Sequence, residues 1–300
     1  MRTRLAFLLL LVATFAHADY REFLQVPVDP SMATKLRHVA DATLADYPKL
    51  KREDLAITVV DVTNPATIAR GDVQGDVPFY PASVIKLFFM DDIFATHKER
   101  VPDVDRALRE MISVSDNDAT AYLVDVLSNA GAGPELQGRA LRRFLDRRRA
   151  INKRFAKLGY DISAMAKPWS YGPYGRERQL LGQNRENRNR LTANFTTALL
   201  LWIVRRHAPS SDAQLALLAR PLEPLRAEEN QVKEFVGEAL PPGSRLWSKA
   251  GWTSEVRHDT AYVELPNGRK LLITIFTRGI ADDVTLIPSI AKKVLAELGQ

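Results

Sequence analysis

Ser83 and Lys86 form an S-x-x-K motif, which pairs a hydroxyl with an amine and suits acyl transfer. A strand-like stretch with Pro81 precedes the motif, and an apolar helical run from Val84 to Ile93 follows it. The serine is therefore expected at the first turn of a buried helix, where unpaired N–H groups stabilise an oxyanion. Lys86 shares its face, and burial would lower the pKa of the amine toward that of a usable base. The alternative is a helix N-cap serine beside an ordinary lysine.

A second motif, Ser115-Asp116-Asn117, lies between two helical stretches at 104–112 and 119–127. During acyl transfer, a second hydroxyl relays the proton from the nucleophile to the leaving nitrogen, and a side-chain amide holds the substrate. We assign the relay to Ser115 and the substrate-holding amide to Asn117. The alternative is a helix cap, since Ser, Asp and Asn all favour that position.

A third motif, Lys249-Ala250-Gly251, ends a strand-like stretch over 245–251, and two more predicted strands follow it. An edge strand beside a pocket can donate a backbone N–H to an oxyanion and can pair with an extended substrate. Lys249 would attract a substrate carboxylate, and Gly251 would let the strand approach closely. The pattern therefore predicts a wall of the same pocket.

Together the three motifs resemble those of the class A β-lactamase family, within the wider group of penicillin-binding serine hydrolases. The resemblance covers most of the chain after the N-terminal segment. It implies an acyl-enzyme at Ser83, an oxyanion hole formed by the N–H groups of Ser83 and Trp252, and no cofactor. The family has Thr or Ser where this chain has Ala250, and Thr253 or Ser254 is the candidate replacement for that hydroxyl donor.

The resemblance also implies a glutamate that activates the hydrolytic water, within an E-x-x-L-N pattern on an omega-shaped loop. Glu177-x-x-Leu180 fits this pattern, but Leu181 stands where the family has asparagine. Glu177 is therefore the predicted base for deacylation. The alternative is one more exposed charge on an arginine-rich loop.

The order of the predicted elements indicates an α/β (α+β) protein, with the β-lactamase/transpeptidase-like fold that the resemblance implies. Strands near both ends of the chain would form one antiparallel sheet with flanking helices, and an all-helical lobe would be inserted between them. We expect residues 19–80 and 209–300 to form the sheet lobe and residues 81–208 to form the helical lobe. The active site would lie in the cleft between the lobes.

The N-terminus has the pattern of a secretory signal peptide over residues 1–18: basic residues, a short apolar run, and Ala16-His17-Ala18. Cleavage near Ala18 would release a periplasmic or secreted protein. The chain has no cysteine, which excludes disulfides and a lipid-modified N-terminal cysteine. Its five histidines are scattered without metal-ligand spacing, so no metal site is expected.

The formal net charge is +6, and many of the basic residues lie between Arg139 and Lys157. Apolar residues in this segment follow the spacing of an amphipathic helix, so a solvated polar face is one interpretation. The other is weak contact with the anionic cell envelope. We expect no nucleic-acid partner, because the protein is predicted to leave the cytoplasm, and we expect a monomer.

Three functions follow from these features. The first is β-lactam hydrolysis through an acyl-enzyme at Ser83. The second is a penicillin-binding D-alanyl peptidase that acts on peptidoglycan-derived substrates. The third is a non-catalytic cell-envelope binding protein that uses its basic helix. The position of Glu177 distinguishes the first two, because only a hydrolase that releases its acyl group quickly needs a water-activating base in the pocket.

Overall fold

Within the part of the chain that the structure describes, six antiparallel strands form one sheet. The computed structural model describes residues 19–97, 99–169, 172–205, 211–223 and 230–299, so the predicted signal peptide lies outside the described residues. The strand order across the sheet is β2-β1-β6-β5-β4-β3. The strands are β1 (Leu55–Asp61), β2 (Ala69–Val73), β3 (Ala219–Arg220), β4 (Arg245–Trp252), β5 (Val256–Glu264) and β6 (Lys270–Arg278).

Most of the described helices lie between β2 and β4 in the chain, as the sequence predicted. A single 3₁₀ turn over Ala82–Ile85 leads into the first of these intervening helices. The helices are α1 (Tyr20–Gln25), α2 (Pro30–Asp46), α3 (Lys86–Thr96), α4 (Pro102–Ser113), α5 (Asn117–Ser128), α6 (Gly138–Lys157), α7 (Gly175–Leu181), α8 (Ala193–Val204), α9 (Ser211–Leu218) and α10 (Leu286–Leu298).

Helices cover both faces of the sheet, as the side chains of β6 show by pointing alternately to one face and the other. Ile273 and Ile275 pack in one apolar cluster with residues of α2 and α10, whereas Leu272 and Phe276 pack in another with residues of α3 and α8. Successive side chains of a strand point to opposite faces, so a strand buried on both faces becomes a nearly continuous apolar run. The mixed fold class and the antiparallel sheet built from both ends of the chain are confirmed.

The second apolar cluster joins the sheet to the intervening helices. It contains Val60 and Phe276 of the sheet together with Phe88 of α3 and Leu199 of α8. Helix α8 packs directly on β1, β5 and β6. The boundaries proposed for two lobes, 19–80 with 209–300 and 81–208, remain a prediction, and the two parts share one core.

Two local expectations need correction. The segment whose pattern resembles the family's omega-shaped loop contains helix α7. On the basic helix α6, Arg148 is fully buried instead of belonging to a solvated face, because it pairs with Asp125 and Glu177.

Across the described parts of the chain, none of the helices combines the length and the apolar character that crossing a membrane requires.

Candidate active site

Ser83 lies in the 3₁₀ turn that opens α3, and strand β4 presses against its backbone. A Cβ atom at Gly251 would lie 2.7 Å from the Ser83 nitrogen and 2.8 Å from the Val84 nitrogen. Real Cβ atoms do not approach backbone atoms this closely, so only glycine permits the contact. The structure thus brings the first and third motifs together, as the sequence predicted for Gly251.

His258 supports the segment that precedes the serine. It lies opposite Gly251 on β5, and its Nε2 is 2.8 Å from the Tyr80 carbonyl oxygen. Its Nδ1 accepts a hydrogen bond from the Thr277 N–H at 3.1 Å, so Nε2 carries the proton and donates to Tyr80. Burial lowers the pKa of His258 to about 4, which keeps the ring neutral at neutral pH.

Lys86 connects the first motif to the second. Its Nζ lies 2.6 Å from the Ser115 carbonyl oxygen, 3.2 Å from Ser115 Oγ and 2.9 Å from Asn117 Oδ1. Burial lowers the pKa of Lys86 to about 7, and the nearby Asp116 opposes that shift. The amine is therefore close to half neutral at physiological pH, as a general base requires.

One residue of the second motif caps a helix, and its two neighbours contact Lys86. Asp116 is the N-cap of α5, where its side chain accepts a hydrogen bond from the Ala119 N–H at 2.6 Å. Ser115 adopts a left-handed backbone with φ 59°, which turns the chain just before the helix. The capping alternative thus holds for Asp116, whereas the side chains of Ser115 and Asn117 face Lys86.

Lys249 lies on the other side of the Ser115 hydroxyl. Its Nζ is 3.1 Å from Ser115 Oγ, 2.5 Å from Gln231 Oε1 and 2.7 Å from the Ala250 carbonyl oxygen. Burial first, and then the positive charge of Lys86, holds the pKa of Lys249 well below its ordinary value. One hydroxyl therefore lies within hydrogen-bond distance of two amines, and protons can pass through it.

Gln231 is a member of the site that sequence analysis missed. Its side-chain oxygen also accepts from the Ala250 N–H at 3.2 Å, while its amide nitrogen donates to the carbonyl oxygens of Ile112 at 3.0 Å and Ser113 at 2.9 Å. Gln231 thereby ties the Lys249 strand to the end of α4, just before Ser115. It lies in an irregular segment outside any motif, so its sequence carried no signal.

Trp252 and Thr253 line the cleft together with Tyr80, Ser83, Lys86 and Asn117. Trp252 is 45% exposed and packs on Phe235, with ring centroids 5.3 Å apart. Thr253 Oγ1 accepts hydrogen bonds from the N–H groups of Glu255 at 3.1 Å and Val256 at 3.3 Å. Its hydroxyl proton remains able to donate to a ligand.

Glu177 does not line this cleft in the described residues. It is 1% exposed, its Oε1 accepts a hydrogen bond from Arg148, and the Lys167 amine lies 4.0 Å from the same oxygen. Burial raises the pKa of Glu177, and the charge of Arg148 opposes that shift. Glu177 is therefore not an exposed charge either, and Leu181 lines the cleft instead.

The described residues contain no cluster of three or more His, Cys, Asp or Glu side chains that could hold a metal ion.

Comparison with solved structures places this architecture in the β-lactamase/transpeptidase-like fold. PBP-A is 18% identical, and the match covers 91% of this chain and 98% of that chain with a TM-score of 0.64. A β-lactamase from Desulfarculus baarsii DSM 2075 is 17% identical, covering 89% and 98% with a TM-score of 0.63. A β-lactamase from Sphaerobacter thermophilus DSM 20745 is 21% identical, covering 87% and 97% with a TM-score of 0.61.

The family model described as the beta-lactamase enzyme family matches residues 95–298, and the chain belongs to this family. The matched range includes Ser115, Asn117 and Lys249 and begins after Ser83 and Lys86. A comparison with curated protein sequences finds no significant match.

Proposed function

We propose that the protein is a serine acyl-transfer enzyme that opens the amide of a β-lactam through Ser83. The observation that carries this proposal is the position of the Ser115 hydroxyl, 3.2 Å from the Lys86 amine and 3.1 Å from the Lys249 amine. These distances bring the second motif against Lys86 of the first motif and Lys249 of the third. With Ser83 as the nucleophile, Lys86 as a base with a lowered pKa and Ser115 as the proton relay, the arrangement would be sufficient for acylation.

In the proposed acylation, neutral Lys86 accepts the Ser83 proton while Ser83 Oγ forms a bond to the carbonyl carbon. The negative charge that develops on the carbonyl oxygen would be stabilised by the backbone N–H groups of Ser83 and Trp252. The C–N bond of the lactam then breaks as Ser115 donates its proton to the nitrogen. Protonated Lys86 returns a proton to Ser115, so the step ends with an ester at Ser83 and both relay groups restored.

The proposed substrate contacts follow the same geometry. Asn117 would form hydrogen bonds with the amide of the acyl half. Its side-chain nitrogen would donate, and its side-chain oxygen would accept through the lone pair that Lys86 does not occupy. Lys249 would attract the carboxylate of the leaving half, and the Thr253 hydroxyl would donate to it in place of the hydroxyl that Ala250 lacks. A lost hydrogen bond to a charged group costs about 1.5–3 kcal/mol, so this replacement matters for affinity.

The residues that line the cleft favour slow release of the acyl group. Among the described residues that line it there is no carboxylate, and Glu177 is held against Arg148. Without a base, water attacks the ester slowly, and the protein would behave as a penicillin-binding peptidase. Family membership favours a second candidate, β-lactam hydrolysis, in which Glu177 would first have to leave Arg148.

Intact-mass spectrometry of the protein mixed with benzylpenicillin tests the proposal. We expect an adduct of penicillin mass that persists for many minutes, and we expect none with Ser83→Ala. Ser289→Ala, in the second S-x-x-K of the chain, is the matched control and should leave the adduct unchanged. Rapid accumulation of hydrolysed penicillin without a persistent adduct would favour the β-lactamase. The absence of both adduct and hydrolysis with several β-lactams would refute acylation.

A further inference from the structure

Four basic residues and no acidic residue are among the described residues that line the cleft. Besides Lys86, the basic residues that line it are Lys167, Arg185 and Arg188, and all three come from the segment between α6 and α8. Asn117 also lines this cleft, whereas Lys249 of β4 is not among its lining residues. A low-dielectric cleft lined by one sign of charge concentrates ligands of the opposite sign.

The three cations differ in how far they are already neutralised. Lys167 is 5% exposed on its side chain, and its Nζ lies 2.5 Å from Asp125 Oδ2. Arg188 lies 3.1 Å from Glu255, and its guanidinium carbon lies 3.5 Å from the centroid of the Tyr80 ring. That stacking fixes the plane of the guanidinium near the segment that precedes Ser83.

Arg185 differs because its side chain forms no hydrogen bond or ion pair within the described part of the chain. It is exposed at the rim and reaches the cleft from a backbone with φ 56°. An exposed arginine without a partner loses little by binding a ligand, because no existing ion pair has to break. Its planar guanidinium suits bidentate contact with a carboxylate.

We infer that these three residues form a subsite for a second carboxylate, carried by the acyl half of the substrate. Arg185 would make the principal contact, with Arg188 beside it and Lys167 contributing charge from behind. This inference rests on the proposed function for the orientation of the substrate, with Asn117 beside the acyl half and Lys249 beside the leaving half. The preferred substrates are therefore dianions with one carboxylate in each half.

Two penicillins that differ by one carboxylate test this subsite. Benzylpenicillin and α-carboxybenzylpenicillin share the same nucleus and phenyl group, and only the second has a carboxylate in the acyl side chain. We would measure their dissociation constants by calorimetry with the Ser83→Ala protein, in which no acylation interferes. We expect the dianion to bind about tenfold more tightly at low salt, because one hydrogen bond to a charged group contributes about that much to the affinity. The ratio should decline as salt is added.

Arg185→Gln should bring the two dissociation constants close together without weakening the binding of benzylpenicillin. The matched control is Arg109→Gln, which removes the same charge from an exposed position of α4 outside the cleft lining. Equal affinities in the Ser83→Ala protein, no measurable binding of the dianion, or an unchanged ratio in Arg185→Gln would overturn the subsite. Acylation of the wild-type protein is measured separately, so a failure there contradicts the proposed function alone.

Discussion

The guanidinium of Arg148 contacts the carboxylate of Glu177 in a site closed to solvent. Arg148 comes from the long helix α6, and Glu177 from the first turn of α7, so the pair joins the basic helix to the segment that lines the cleft. The same guanidinium lies 2.7 Å from Asp125 of α5. One buried arginine therefore connects three helices, and its removal would leave Glu177 without its hydrogen-bond donor, while Asp125 would keep Lys167 as a partner.

Arg148→Met should lower the free energy of unfolding by about 3–5 kcal/mol, because it leaves a buried carboxylate without its partner. Urea denaturation at pH 7 measures the loss. Arg142→Met, at an exposed position of the same helix, is the control and should change stability little. Combining Arg148→Met with Glu177→Gln should restore part of the loss. A small effect of Arg148→Met alone would contradict the structural role of the pair.

Acylation by penicillin should depend on pH through Lys86. Since burial lowers its pKa to about 7 and only the neutral amine accepts a proton, the rate should rise with pH and level off above 7. Below that pKa the rate should fall about tenfold for each unit of pH. Stopped-flow or rapid-quench mass measurements between pH 5.5 and 9 would give the profile. A flat profile would show that another group sets the rate. Lys86→Arg, which stays protonated, should acylate poorly at every pH.

Gly251→Ala should slow acylation at least a hundredfold, because the new methyl would force the Ser83 and Val84 nitrogens away from β4. The rate of adduct formation measures this effect, and thermal unfolding reports any loss of stability. Gly131→Ala is the matched control, since its new Cβ would meet only an atom of Asp125 at 3.8 Å. Normal acylation by Gly251→Ala would mean that the Ser83 turn does not need this close approach.

Stability below neutral pH should depend on His258. Its folded pKa of about 4 lies below the ordinary 6.5, so the unfolded chain binds a proton first as the pH falls between these values. The contribution of His258 is therefore present above pH 6.5 and is lost toward pH 4. The raised pKa of Asp259 acts in the opposite direction, so the informative quantity is a difference.

The gap in unfolding free energy between wild type and His258→Asn should narrow by about 3 kcal/mol from pH 7 to pH 4. Urea denaturation at four or five pH values within that range measures the gap. His38→Asn, at an exposed position of α2, is the matched control. A gap that stays constant would mean that His258 is not held neutral in the folded protein.

The motifs predicted which residues meet, because residue type and order carry that information. Ser83 and Lys86 lie at the start of a buried helix, Ser115 and Asn117 at a helix start, and Gly251 on a strand, as their flanking patterns indicated. The mixed fold class followed from strands at both ends of the chain. These features depend on local pattern, which a single sequence displays.

The remaining features depend on contacts between distant segments. Gln231 reaches Lys249 across 18 positions, and His258 reaches Tyr80 across 178. The direction of the Glu177 side chain is set by Arg148, a residue that looked like part of a charged surface. Arg185 was visible only as one of many arginines in its loop. No periodicity in one sequence reports such pairings, because they arise when the elements pack.

The apolar cluster shared by the sheet and the helices bears on how substrate enters. Phe276 of β6 and Phe88 of α3 belong to the same buried group, so the sheet and the helices cannot separate without exposing it to water. Such an opening would cost much of the stability of the whole molecule. We therefore expect ligands to be selected by the side chains that line the cleft rather than by a separation of the sheet from the helices.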